Sequence, residues 1–178
     1  RDVFLGGASL PHANWISNTT DHQMQERNGR IGFIGAGIVG KSLAVALTNC
    51  GYNVVAAGSR TYASAESLAA LVRRCVAYRG LQEVCDASDF VLITSSDDAI
   101  KSVASGVIWR DGQKVAHCSG ASSVEVLNSV VGDGVLTGAF HPLQTFSSVD
   151  AAQKALPGTT FAIEGNTEMR AYLEQMAL

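Results

Sequence analysis

The stretch from Arg30 to Gly40, R-I-G-F-I-G-A-G-I-V-G, constrains this chain more than any other. Residues 31–34 are a short apolar run of the kind that forms a buried strand. The run passes directly into Gly35-Ala36-Gly37-Ile38-Val39-Gly40, and then into Lys41-Ser42-Leu43-Ala44-Val45-Ala46-Leu47, an apolar helix pattern. Each glycine has a mechanical task in a turn of this type. Gly35 permits the tight exit from the strand, Gly37 lets backbone approach a pyrophosphate, and Gly40 lets the new helix pack closely on the sheet. The first N–H groups of that helix lack partners within it and carry partial positive charge, which suits phosphate. A lone G-x-G-x-x-G says little, because glycine-rich turns are common. Here the strand before it and the helix after it supply the context the motif requires. Gly35, Ala36, Gly37, Ile38, Val39 and Gly40 are therefore the candidate dinucleotide-binding turn.

The totals narrow the field further. A chain of 178 residues suffices for one domain with a substantial core. Hydrophobic residues make up 47% and charged residues 16%, a balance that suits an α/β domain buried on both sheet faces. A net charge of −3 gives no electrostatic reason to expect nucleic acid or an anionic membrane as partner. No apolar run reaches the length of a membrane span. Cys50, Cys75, Cys85 and Cys118 are scattered, with no C-x-x-C and no His at zinc spacing. They read as unlinked thiols of a reduced, intracellular protein, and no metal site is expected.

Residues 1–29 differ from the rest. The chain begins with Arg1, which suggests a fragment or a processed product. Pro11, His12, Asn14, Asp21, His22 and Asn28 interrupt any periodicity, so the stretch reads as an irregular extension without the pattern of a signal peptide. Asn18-Thr19-Thr20 matches a glycosylation sequon, a triplet that often arises by chance. From Arg30 onward strands and helices alternate. Strands are expected at 31–34, 53–58, 76–78, 89–94, 114–117, 134–140 and 159–163. Helices are expected from 41, at 61–72, 97–104 and 122–130, and from 167 to the chain end, with a short turn or helix at 81–85. Alternation of this kind implies a doubly wound, mostly parallel sheet with right-handed crossovers, spanning 30–178 as one domain.

In such folds ligands bind beyond the carboxyl ends of the strands. That rule selects Gly35 to Gly40, Ser59-Arg60-Thr61, Ser95-Ser96, Ser119-Gly120 and His141-Pro142. No acid occurs from Ala36 to Ala65, so the second strand lacks the carboxylate that would bind an adenosine ribose. It ends instead in Gly58-Ser59-Arg60-Thr61, two hydroxyls and a guanidinium that would hold a 2′-phosphate by charge-assisted bonds. The expected cofactor is NADP(H), with Ser95 and Ser96 as further contacts. One proton then needs a group titrating near neutral pH. His141, after the strand 135–140 and stiffened by Pro142, is the candidate; Ser119, beside Gly120, would bond the same substrate atom. A competing reading gives His141 only a backbone bond that fixes its loop. His117, at the end of a buried strand, reads as a satisfied core histidine, and Cys118 has no identifiable base.

With the glycine turn, Ser59-Arg60, D-F-V-L-I-T at 89–94, Ser119-Gly120 and the run F-H-P-L-Q-T-F at 140–146 in view, the chain resembles the DUF2520-containing oxidoreductases. These Rossmann-fold proteins are similar to pyrroline-5-carboxylate reductase and coenzyme F420-dependent NADP reductase. The resemblance runs from about Arg30 to the end. It implies a cytoplasmic enzyme that is a homodimer in its full-length form and moves hydride to or from a small imine, keto or hydroxy substrate. The alternative is a non-catalytic NADP(H)-binding or sensing module. G-x-x-H-P after the strand is similar to prephenate dehydrogenases, where a strand-end His takes the substrate hydroxyl's proton and a Ser lies nearby. In the family an all-helical part follows, and this chain ends where that part is expected. Either the sequence is cut short or the protein needs another chain.

Overall fold

The computed structural model describes residues 2–4, 29–129, 131–132 and 134–177, with backbone only for 2–4. His12, His22 and the sequon at Asn18 lie outside the described residues. The elements in chain order are β1 (Asp2–Phe4), β2 (Arg30–Ile34), α1 (Ile38–Asn49), β3 (Asn53–Gly58), α2 (Tyr62–Ala69) and β4 (Val76–Ala77). Then come α3 (Leu81–Ala87), β5 (Phe90–Ile93), a 3-10 turn (Asp97–Ala99) running into α4 (Ile100–Ser105), and β6 (Lys114–His117). The remainder is α5 (Glu125–Asn128), β7 (Leu136–Pro142), α6 (Val149–Ala155), β8 (Phe161–Gly165) and α7 (Thr167–Ala177).

The sheet has eight strands in the order β1-β8-β7-β6-β5-β2-β3-β4. From β4 to β7 every pair is parallel, while β8 runs antiparallel to β7 and β1 antiparallel to β8. Successive residues of a strand face opposite sides, so a strand buried on both faces reads as an unbroken apolar run. β5, Phe90-Val91-Leu92-Ile93, is such a strand, and all four residues are buried. Phe90 and Leu92 join a core with Leu43 and Leu47 of α1, Leu68 of α2, and Met169 and Leu173 of α7. Val91 and Ile93 join the other core, with Val84 of α3, Ile100 of α4 and Leu127 of α5. Helices therefore cover both faces, as a doubly wound sheet requires.

Four expectations change. Asp2–Phe4 pairs with Phe161–Ile163, so the extension is not wholly irregular. The strand expected at 134–140 runs instead from Leu136 to Pro142. Gly134 takes φ +85° and makes a turn, and β8 supplies pairing past residue 140 through His141 opposite Ala162 and Pro142 opposite Phe161. Pro142 is tolerated there because β6 ends its pairing at Ala139, so the missing N–H leaves no bond unmade on that side. The helix expected at 122–130 shrinks to four residues, because the Ser119 hydroxyl accepts from the N–H groups of Ala121 and Ser122 at 3.1 and 3.0 Å. That local bonding competes with a helical path. Helix α6 has no sequence counterpart: it is a helix of about two turns, capped when Ala151 N–H donates to Ser148 Oγ.

The start of β2 is tied to the start of β5. Arg30 donates to Asp89 through its backbone N–H at 2.9 Å, Nε at 3.1 Å and Nη2 at 2.7 Å. The Arg30 side-chain bond holds the Asp89 carboxyl below its usual value, against a smaller opposing effect of burial. A carboxylate with a lowered pKa contributes stability above its unfolded pKa and loses it as pH falls through the folded one. The pair is half exposed, so Asp89→Asn should cost only about 0.5–1 kcal/mol at neutral pH. Urea denaturation of both proteins should show that difference shrinking as the pH drops below about 4, the ordinary carboxylate range.

Candidate functional site

At the carboxyl edge of β2 the chain turns through Gly35, which has φ +112°. A Cβ there would lie 2.5 Å from the Thr94 carbonyl carbon and 2.6 Å from Ser95 N. Thr94 Oγ1 donates to the Gly35 carbonyl at 2.6 Å, and Gly35 N–H donates to the Gly58 carbonyl at 2.8 Å. The turn is thus fastened to both neighbouring strand ends. Gly40 closes on it from above: a Cβ at 40 would be 2.4 Å from the Gly35 oxygen and 2.5 Å from Thr94 Oγ1. A Cβ on Gly37, by contrast, would meet nothing within 4 Å. On that side the backbone is open to approach.

A cavity of about 650 Å³ lies on that open side. Gly35, Ala36 and Gly37 line it from the turn, Ser59, Arg60 and Thr61 from the end of β3, and Ser95 and Ser96 from the end of β5. The structure so brings together most of the residues expected to hold a dinucleotide. Ile38, Val39 and Gly40 are not in the lining; they form the first turn of α1, directly after the lining residue Gly37. Gly37 is the N-cap of α1 and offers no side chain to it, and no acid stands in the first turn. The first bond of the helix is Lys41 N–H to the Gly37 carbonyl, 3.0 Å, so the N–H groups of residues 38–40 have no acceptor within the helix. A second helix, α2, also starts at this cavity. Its cap is Thr61, whose Oγ1 accepts from Ser64 N–H at 3.4 Å and bonds Ser64 Oγ at 2.7 Å. Among the described residues Arg60 is the one charged residue of the lining. Two helix starts, a guanidinium and several hydroxyls, with no carboxylate, make a site for an anion.

Sequence reasoning did not single out Thr94, Ser64, Ser102 or Leu81, which also bear on this cavity. Thr94 was legible as the residue after a buried strand; the others arrive from helix faces that only the packing defines.

A smaller cavity of about 200 Å³ lies farther along the same edge, lined by Ser119, Gly120, Ser122, His141, Leu143 and Glu164 among others. β6 and β7 pair His117 with Ala139, so Ser119 and His141, each two residues on, stand side by side. His141 Nδ1 is 2.8 Å from the Cys118 carbonyl. That oxygen only accepts, so Nδ1 carries the hydrogen and Nε2 of the neutral ring keeps its lone pair. The backbone bond expected as the competing reading is therefore present, and it leaves Nε2 available. Gly120 makes room for the ring: a Cβ there would lie 2.5 Å from Nε2. Ser119 Oγ spends its acceptor capacity on Ala121 and Ser122, so its own proton is what it can offer a ligand. Glu164 entered from β8, whose antiparallel pairing no sequence pattern announced; its Oε2 accepts from Val124 N–H at 2.9 Å.

His117 is fully buried and satisfied. Ser119 N–H donates to its Nδ1 at 3.2 Å, so Nε2 carries the hydrogen and donates to the Ser123 carbonyl at 3.1 Å. Burial pushes the Cys118 thiol up to about 12, far from a thiolate at neutral pH. Among the described residues no group of three or more His, Cys, Asp or Glu is placed to hold a metal ion. No helix among them is long and apolar enough to cross a membrane.

The family model that describes a Rossmann-like domain matches residues 16–142. This chain belongs to the Rossmann-like domain family. Among solved structures, the Rossmann-like chain is similar to a Bacteroides fragilis protein described as an NADP oxidoreductase, at 29% identity and TM-score 0.71, over 85% of this chain and 57% of that one. It is also similar to 1-pyrroline-5-carboxylate reductase from Streptococcus pyogenes, at 18% identity and TM-score 0.67, over 85% and 56%. A third is the 3-hydroxyisobutyrate dehydrogenase of Mycobacterium tuberculosis, at 21% and 0.64, over 84% and 52%. The last two likenesses concern the fold alone, and the chain spans little more than half the length of each of the three. No curated protein matches it significantly.

The two glycines make opposite predictions for stability. Gly40→Ala forces a methyl group into the Gly35–Thr94 contact and should cost about 1–3 kcal/mol in urea unfolding. Gly37→Ala meets open space at an ordinary φ of −74°, so the unfolding free energy should stay within about 0.5 kcal/mol of the parent.

Proposed function

We propose that residues 30–178 form the dinucleotide-binding domain of an NADP(H)-dependent oxidoreductase acting on a small imine, keto or hydroxy substrate. The observation that carries this reading is the larger cavity: Gly37, the N-cap of α1 without a side chain, lines it, and among the described residues its lining holds one charge, Arg60, and no acid. The diphosphate fits over the amides of residues 37–40, because the Gly37 face is open to it. Arg60, with Ser59 and Thr61 beside it, receives the 2′-phosphate. Where NAD(H) would need a carboxylate for its ribose, this strand end has none.

When bound, the nicotinamide supplies or accepts the hydride. The chain's own residues orient it and manage one proton. From the end of β3 to the end of β7 is four strand steps, roughly 19 Å at about 4.8 Å each, the scale of an extended dinucleotide. A ligand with its adenosine at Arg60 thus brings its far end past Ser95 and Ser96 toward Ser119 and His141. There His141 Nε2 holds or takes the proton of a substrate hydroxyl or amine, while its Nδ1–H bond to Cys118 fixes the ring. Ser119 directs its hydroxyl proton to the same substrate atom. The DUF2520-containing family, the homodimer and the cytoplasmic setting belong to this proposal.

Titration of NADPH fluorescence tests the cofactor. Arg60→Ala should weaken NADPH about tenfold or more and leave NADH nearly unchanged, as loss of a charge-assisted phosphate bond requires. Gly37→Ala, which leaves the fold intact, should abolish binding of both. Equal affinity of the parent for NADPH and NADH would contradict the 2′-phosphate assignment. Turnover with imines and keto acids tests the chemistry: His141→Ala should lower kcat by about 10²–10⁴ while sparing NADPH affinity. Tight NADPH binding with no oxidation across a broad panel would favour the sensing module instead.

A further inference from the structure

The connection between β4 and α3 carries a feature that the glycine turn and Arg60 do not use. The Arg79 guanidinium sits over the Tyr62 ring, 4.0 Å from its centroid. Tyr62 opens α2 directly after Thr61, which lines the larger cavity, and Arg79 stands two residues before Leu81, which lines it too. β4 is bonded to the outer side of β3, and Tyr78 N–H donates to the Ala57 carbonyl at 2.8 Å. That bond keeps this connection level with the end of β3, one strand step of about 4.8 Å from it. Neither Tyr62 nor Arg79 is in the cavity lining, but each adjoins residues that are, so Arg79 stands just outside the Arg60 end of the cavity, on the neighbouring strand end.

Both side chains have donors to spend. Among the described residues neither Arg60 nor Arg79 makes an ion pair or a side-chain hydrogen bond, and Arg79 packs only on the Tyr62 ring. Glu83, the acid that follows Arg79 most closely in sequence, is engaged elsewhere, accepting from Gly80 N–H at 2.8 Å. Stacking occupies the face of the guanidinium and leaves the N–H groups at its edge free to bond. It also removes rotamer freedom from a long exposed side chain before any ligand arrives, which lowers the entropy cost of binding. A planar, pre-ordered fork of N–H donors on the strand end next to that of Arg60 matches a phosphate monoester dianion.

We propose that Arg79, held by Tyr62, is a second residue that reads the 2′-phosphate of NADP(H) and sets the preference over NAD(H). The proposal rests on the dinucleotide reading above and adds a specificity-determining residue outside the strand-end triplet Ser59-Arg60-Thr61. A merely structural stack, pinning the loop to α2, would affect both cofactors alike or neither.

The test pairs fluorescence titrations of NADPH and NADH on the full chain and its Arg79→Ala and Arg79→Lys variants. Arg79→Ala should weaken NADPH about tenfold, as expected for one charge-assisted bond, with NADH within twofold of the parent and Arg79→Lys in between. A second readout needs no variant: the Arg79 Nε–H signal in NMR spectra of the parent should shift on saturation with NADPH and stay in place with NADH. An equal loss of both cofactors, no loss of either, or the same shift with both would overturn the role of Arg79 and leave the oxidoreductase reading standing. A parent that binds neither cofactor would sink that reading and this one together.

Discussion

The close approach of α1 to the ends of β2 and β5 is the constraint on which the rest of the site depends. Thr94 Oγ1 grips the Gly35 carbonyl at 2.6 Å, and Gly40 lies so near both that no side-chain carbon fits between them. This contact fixes where the helix starts and the direction in which its unpaired N–H groups point. Without it the amides would fray into solvent and the cavity would lose the lining that Gly35, Ala36 and Gly37 provide. The same contact explains why two glycines of one motif have different physical requirements: Gly40 is bound by packing within the protein, and Gly37 by space left for something outside it.

From that fixed point the edge of the sheet reads as a row. β3 contributes Arg60, β2 the glycine turn, β5 Ser95 and Ser96, β6 Ser119, and β7 His141, in the spatial order that the strand sequence imposes. A guanidinium and helix starts gather at one end, and the His141 imidazole stands at the other. Burial keeps three thiols protonated at neutral pH, raising the half-buried Cys75 to about 11 and the buried Cys85 and Cys118 to about 12. Hydride chemistry suits such a row, because the cofactor brings the reacting carbon and the protein need only align it and handle a proton.

Much of this was legible in the sequence because its causes are local. The buried strands announce themselves as apolar runs, and the glycine turn carries its own backbone requirements. Arg60 stands out because an expected acid is missing. What escaped the sequence depends on pairing between distant segments. β8 turns antiparallel, and this lengthens β7 through His141 and Pro142 and delivers Glu164 to the smaller cavity. The helix expected at 122–130 shrank to four residues because the Ser119 hydroxyl, three residues before that pattern begins, took the N–H groups first. Helix α6 was hidden by its length, since seven residues show too little periodicity to separate from a loop. The resemblance to DUF2520-containing oxidoreductases pointed to the same row of residues, while the family model establishes the broader Rossmann-like domain.

A crystal structure of the full chain with NADP⁺ measures the central claim most directly. The account predicts diphosphate oxygens within hydrogen-bond distance of the amides at residues 37–40, and the 2′-phosphate against Arg60. A cofactor bound elsewhere, or one whose adenosine end points away from the end of β3, would contradict it.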